Sequence, residues 1–253
     1  MPPTVHFHRL SLALAALVLA ACGSNAPTPE QPQPEPSPKA LIIKALSDAE
    51  IAAADEVVND LPALVPGTEP MKWQQDEAGD DWVLLVTWTD WEGFREQVGQ
   101  TVPVERALWV SAVPEVQSFC RNTGLEGEPL EQRLERYLGL RPGTAKPYFV
   151  AMWARPADVV RPCADPEVTD TTCSVGDEPA DVTIGSHEHR AWFDELRMTS
   201  YGPEGKPWTR LGYTYDWDPS SPERGAGEFL IPAQTMVKVE SFETTAAYCV
   251  PGS

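Results

Sequence analysis

The sequence predicts one α+β domain, a mixed or antiparallel sheet with a few short helices, spanning about residues 40–253 and stapled by disulfides. Three observations carry that expectation. Short runs rich in β-branched and aromatic residues are separated by turn residues, in a chain with 26 Pro and 17 Gly among 253 residues. Other segments space their apolar residues at the helical period. Four cysteines, an even number, lie beyond the N-terminal region. With 42% hydrophobic and 23% charged residues the chain has enough apolar surface for a core, which excludes disorder throughout. Its 38 acidic against 19 basic residues give a formal net charge of −19, which repels phosphate backbones, so nucleic acid is not an expected partner.

At the N-terminus, His6, His8 and Arg9 precede Leu10 to Ala21, where Leu, Val and Ala fill nearly every position. This is a secretory h-region, too short for ~30 Å of hydrocarbon, which needs ~20 apolar residues of helix. The run ends in Leu19-Ala20-Ala21-Cys22-Gly23. It resembles the lipobox of bacterial lipoproteins, and the resemblance implies a diacylglycerol on the Cys22 thiol, cleavage before Cys22 and acylation of the freed amine. Residues 1–21 are then a signal peptide. Ser24 comes after Gly23 with no Asp directly after the cysteine, which implies the outer membrane if the source is Gram-negative. Two or more acyl chains anchor a protein stably, so the expected partner is the membrane, held through lipid.

Residues 22–39 include NAPTPEQPQPEPSPK, where Pro recurs almost every second position, and read as a lipidated cysteine and then a stiff spacer. Loss of residues 1–21 removes Arg9 alone among the charges. The exported chain then has 18 basic and 38 acidic residues and a charge of −20.

Ser47-Asp48-Ala49-Glu50 has the form of a capping box and predicts a helix to about Asn59, with Ile51, Ala54, Val57 and Val58 on one stripe. Trp82 to Thr89 and Arg106 to Val113 are β-rich, and Pro114 opens a short helix through Cys120 and Arg121. Pro129 to Leu138 is amphipathic through Leu130, Leu134, Tyr137 and Leu138, with Gly139 as its C′ residue. Pro147 to Ala154 is a further strand, with loop beyond it to about Gly185. The last seventy residues are expected to be β: a strand over Trp208 to Trp217, then a hairpin-like pair, Glu228 to Ile231 and Met236 to Phe242, around Pro232.

With Cys22 lipidated, Cys120, Cys163, Cys173 and Cys249 remain in an oxidising compartment. Of three connectivities the favoured one is Cys163 to Cys173, closing a polar loop, with Cys120 to Cys249, pinning the C-terminus onto a helix. Loop-closure entropy assigns these about 3 and about 5 kcal/mol. No two of the four lie two to four residues apart, so a zinc-thiolate site is not expected.

His187 and His189 are the only histidines beyond the signal peptide. At i and i+2 they share a face only if extended, and a metal there needs ligands from distant loops, so a surface or hydrogen-bonded pair is expected in preference to a metal site. HEXXH, G-x-S-x-G, S-x-x-K and the glycine-rich phosphate loops are all absent. No cofactor is expected.

Gly227-Glu228-Phe229-Leu230-Ile231-Pro232 through Val239 resembles the final strand motif of ADP-ribosyltransferases, where a glutamate precedes an apolar strand, a proline-containing turn and a closing strand. The resemblance implies that Glu228 contacts the nicotinamide ribose of NAD. Trp208, Tyr213, Tyr215 and Trp217 form an aromatic stripe, of which Tyr213, Tyr215 and Trp217 share one strand face. That face is either core or an open platform for sugar or peptidoglycan rings. The sequence thus predicts a lipid-anchored envelope protein, a binding or interaction module more than an enzyme, whose ligand or protein partner it does not name.

Overall fold

A computed structural model describes residue 1, residues 36–176 and residues 178–250. The expected signal peptide, Cys22 and the expected spacer up to residue 35 lie outside the described residues. Helix α1 (Pro38–Ala49) begins inside the stretch expected to be spacer: Ser37 is the N-cap and its hydroxyl accepts from the Ala40 N–H, while Pro38, with its fixed φ, suits the first turn. The expected helix from Ser47 to Asn59 does not form. Ser47 to Ala49 are instead the last turn of α1, and the chain then runs as loop with a single 3₁₀ turn at Ala54–Glu56. The reach of Glu56 back to the Ala53 N–H, 2.5 Å, supplies the cap there.

The remaining elements are β1 (Trp73–Gln75), β2 (Asp81–Thr89), β3 (Thr101–Pro103), β4 (Leu108–Ala112), α2 (Glu115–Thr123), α3 (Gly127–Tyr137), β5 (Tyr148–Ala154), β6 (Thr183–Ile184), β7 (His187–Glu188), α4 (His189–Ser200), β8 (Tyr213–Tyr215), β9 (Arg224–Gly227), β10 (Phe229–Ile231), β11 (Met236–Thr244) and α5 (Thr245–Cys249). The main sheet has the order β10-β4-β2-β5-β11-β3, with β1 also on β2, and every pairing is antiparallel. β6 with β7 and β8 with β9 make two small ribbons. The fold is α+β.

Both faces of the sheet are covered, which is why β2 and β5 read as near-continuous apolar runs. Val83, Leu85, Val150, Met152, Phe229 and Val239 point to one face, under Leu64, Phe94, Val104 and Val168 from loops. Leu84, Val86, Phe149 and Ala151 point to the other, under Val116 of α2, Leu130 and Leu134 of α3, and Tyr248 of α5. Gly139 is the C′ residue of α3 as its sequence implies: its φ is +63°, and a Cβ there would stand 3.3 Å from the Tyr215 carbonyl oxygen. Cys120–Cys249 ties α2 to α5, and Cys163–Cys173 closes the long connection after β5.

Three expectations for the last seventy residues are corrected. Residues 189–200 are helix, because His189, Phe193 and Ser200 recur at helical spacing and all turn inward. The strand expected over Trp208 to Trp217 is short: Tyr213–Tyr215 alone forms β8, and Trp208 folds back to bridge Thr214 through a turn in which Arg210 and Gly212 take positive φ. β10 and β11 are strands but not a hairpin. β10 pairs with β4, whereas β11 pairs with β5 and β3 across the sheet.

A candidate binding cleft in a forked sheet

The cleft begins where one strand ladder ends. β2 and β4 pair only at Leu85/Ala112 and Val86/Ser111. Beyond that point β2 stays on β5 as far as Thr89/Tyr148, while β4 goes with β10 as far as Leu108/Ile231. The two strands therefore form a fork. Their indoles are held by different elements: Trp88 donates its Nε1–H to the Thr245 hydroxyl at 2.8 Å and stacks on Phe149, whereas Trp109 lies against Trp192 of α4.

Over the fork opens a cleft of about 650 Å³. Its walls are residues 86–90 and 106–111 of the two arms, 138–140 after α3, the end of α4 with Thr199 and Ser200, residues 205–208, and Thr214, Tyr215 and Glu228. The volume falls in the range of small-molecule sites. Its rim carries charge: Lys146 bonds Asp90 at 3.0 Å, an interaction that lowers the Asp90 pKa, and Arg106 stands beside them. Lys206 also lines it, held below the ordinary ammonium range by the packing around it and by Lys146.

Glu228 is the unusual member. It joins β9 to β10, and its N–H donates to the Gly212 carbonyl at 3.0 Å. Gly212 needs its freedom there, since its φ is +77° and a Cβ would stand 2.8 Å from Cys173 Sγ. Extending the β10–β4 register by one residue sets Glu228 opposite Ser111 on the edge of β4 turned away from β2, one strand from the apex of the fork. The side chain is only 7% exposed, and its Oε1 is buried without a hydrogen-bond partner among the described residues. Burial alone, with no compensating donor or cation, pushes its pKa up to about 8. A second carboxyl, distant in sequence, bonds the residue before Glu228: Glu115 accepts the Gly227 N–H at 3.0 Å, leaves Oε2 unpartnered, and is pushed by burial to about 7.

The other expected site residues fall elsewhere. Tyr213, Tyr215 and Trp217 are 6%, 4% and 5% exposed, so they form no open platform. Tyr215 and Trp217 pack under Ile42, Ala45 and Ala49 of α1, and Tyr213 packs against Leu61 and the Cys163–Cys173 bridge. Each polar tip is satisfied inside, by Glu56 O, Asp48 Oδ2 and Leu140 O respectively. Of the three only Tyr215 also reaches the cleft wall.

His187 and His189 are buried, not a surface pair. Their Nε2 and Nδ1 atoms lie 3.2 Å apart, and His189 Nε2 lies 2.9 Å from the Cys163 carbonyl oxygen. Since a carbonyl only accepts, His189 donates from Nε2 and receives at Nδ1 from His187, a chain that uses both nitrogens of His189. Among the described residues no three His, Cys, Asp or Glu side chains are grouped so as to hold a metal.

Sequence reasoning singled out Glu228 but not the fork, Ser111, Lys206 or Trp109 that share its cleft. It also passed over Arg161, fully buried, whose guanidinium bonds the carbonyls of Glu167, Pro62 and Asp170 at 3.0, 3.0 and 2.9 Å and so holds the disulfide-closed loop. Nothing local distinguishes that arginine from its neighbours.

Comparison with known proteins returns no matching family model, no matching curated protein and no matching solved structure.

Proposed function

We propose that this chain is a lipid-anchored cell-envelope lipoprotein whose exported domain is a binding module, with its ligand site in the cleft of the forked sheet. The lipobox at Cys22 supports the anchor. One observation carries the binding site: a buried carboxyl without a partner, Glu228, lines a cleft large enough for a ligand. An unpartnered buried carboxyl costs stability, and groups kept at such a cost concentrate at functional sites. The nucleophile and base arrangements of hydrolases have no counterpart in the sequence, which favours binding over catalysis. The NAD-using alternative calls on the same Glu228. The strand, turn and strand of that resemblance are present as β10 and β11, but the family's Ser-Thr-Ser strand has no counterpart in the sequence, so the binding reading is preferred.

Thermal-shift titration of the full-length protein in detergent, against small amines, peptides, NAD and peptidoglycan fragments, tests the reading. A ligand that raises the wild-type midpoint and loses its effect in Glu228→Gln supports it. Shifts that are equal in the two proteins for every ligand of the panel place binding elsewhere and overturn it. A shift confined to NAD returns the transferase reading.

A further inference from the structure

Resting on the cleft as the ligand site, the parity of the strands specifies what kind of ligand fits it. Leu84 donates its N–H to Lys72 and accepts from Val113 at its C=O, both at 3.0 Å, so even-numbered residues of β2 turn their main-chain groups toward the β4 side. Val113 fixes the same parity for odd-numbered residues of β4. Leu230 on the far side, exchanging bonds with Val160, leaves Phe229 and Ile231 to bond β4 at Val110 and Leu108. Trp88 and Trp109 are therefore the residues whose N–H and C=O face into the fork. The ladder that would have joined them has already ended at Val86/Ser111. A sheet edge of this kind is a template for an added strand.

Charge supplies the second constraint. Glu228 stands one strand from the apex of the same fork, opposite Ser111 on the far edge of β4, with a buried oxygen that no donor reaches among the described residues. Lys206, Lys146 and Arg106 also line the cleft, and Asp90 holds Lys146 at 3.0 Å. Burial is the sole cause of the Glu228 shift, with no cation contributing. A ligand donor, above all a cationic one, satisfies the carboxyl and draws it into its charged form.

We propose that the fork takes an extended peptide segment bearing a basic side chain, which pairs as a strand with the main-chain groups of Trp88 and Trp109 and sets its ammonium or guanidinium on Glu228. Backbone pairing gives the peptide its hold, and the carboxyl selects its residue. The exposed Trp109 indole at the mouth provides an apolar wall for the neighbouring residue of the peptide.

The test uses the full-length protein in detergent and three blocked probes: Ac-Val-Thr-Lys-Thr-Val-amide, the same peptide with norleucine for Lys, and agmatine as a cation without a peptide backbone. The lysine peptide is expected to slow hydrogen exchange at the Trp88 and Trp109 amides and to bind at least tenfold tighter than the norleucine peptide. Glu228→Gln is expected to bring the two peptides within about twofold of each other, and Ser241→Ala, far along β11, to leave the ratio unchanged. Equal affinities of the two peptides for the wild type overturn the proposal, as does binding without protection of Trp88 and Trp109. Agmatine binding that depends on Glu228, with neither peptide bound, overturns the peptide and leaves the cleft a small-cation site. Absence of Glu228-dependent binding by any of the three overturns the peptide and removes the cation as the ligand class.

Discussion

At Glu228 the conflict between burial and ionisation has a definite sign. The folded pKa is raised to about 8 against an ordinary 4.5, so the folded state holds a proton that the unfolded state gives up. The stabilisation is complete below about pH 4.5 and is lost as pH rises toward 8. Glu228→Gln keeps the shape and removes the titration, so it is expected to be more stable than wild type by about 4 kcal/mol at pH 8 and nearly equal to it at pH 4.5. Paired urea titrations at the two pH values check this. The histidine chain has the opposite sign: burial, then the neighbouring His189, lowers the His187 pKa to about 4 from 6.5. The unfolded state takes the proton first, and stability is expected to fall from pH 6.5 toward pH 4. In His187→Phe that fall should be smaller, as read from melting midpoints across the range.

Among the elements, α5 depends on long-range ties. It is five residues long, and its Cys249 bonds Cys120 of α2 across 129 positions of sequence. Thr244 caps it, and the Thr245 hydroxyl accepts from Trp88 while donating to the Lys146 carbonyl. The double variant Cys120→Ser, Cys249→Ser is expected to lose about 4 to 5 kcal/mol by loop-closure entropy, with the earliest loss of exchange protection in α5. α3 illustrates packing instead. Leu134 is fully buried between Val116 and the sheet, and Leu134→Ala should cost about 3 kcal/mol in a denaturant titration. Strands β2 and β5, helices α2 and α3, and both disulfide pairings were legible in the sequence because β-branched runs, helical apolar spacing and cysteine number are local or countable signals. α4 was missed despite its spacing, since Trp192 and Met198 blur its stripe and two histidines at its start invited an extended reading.

For the whole molecule, the lipobox reading places the domain on a membrane surface behind a Pro-rich spacer. Cys22→Ala is expected to move the protein from the membrane pellet to the soluble fraction of fractionated cells, and the wild-type N-terminal peptide to carry the mass of an acylated cysteine. Retention of the variant in the pellet would remove the anchor. The chain beyond residue 21 has a formal charge of −20, which favours a cationic ligand over an anionic one at long range.

The even cysteine set, the α+β class and Glu228 as a residue to watch were readable from the order of residues alone, because each is written in composition or in a short contiguous pattern, and the same kind of pattern carries the proposed lipobox. Long-range packing settled that Tyr213, Tyr215 and Trp217 are core, that His187 and His189 form a closed hydrogen-bond chain, and that β10 pairs with β4 and not with β11. Those outcomes depend on which distant segment supplies the partner: α1 covers the rings, the Cys163 carbonyl receives the histidine, and β4 takes the strand. The fork exists because the β2–β4 ladder ends at Val86/Ser111 while β2 stays with β5 and β4 stays, on its other edge, with β10, and the unpartnered carboxyl beside it is brought there by a strand more than a hundred positions from β4.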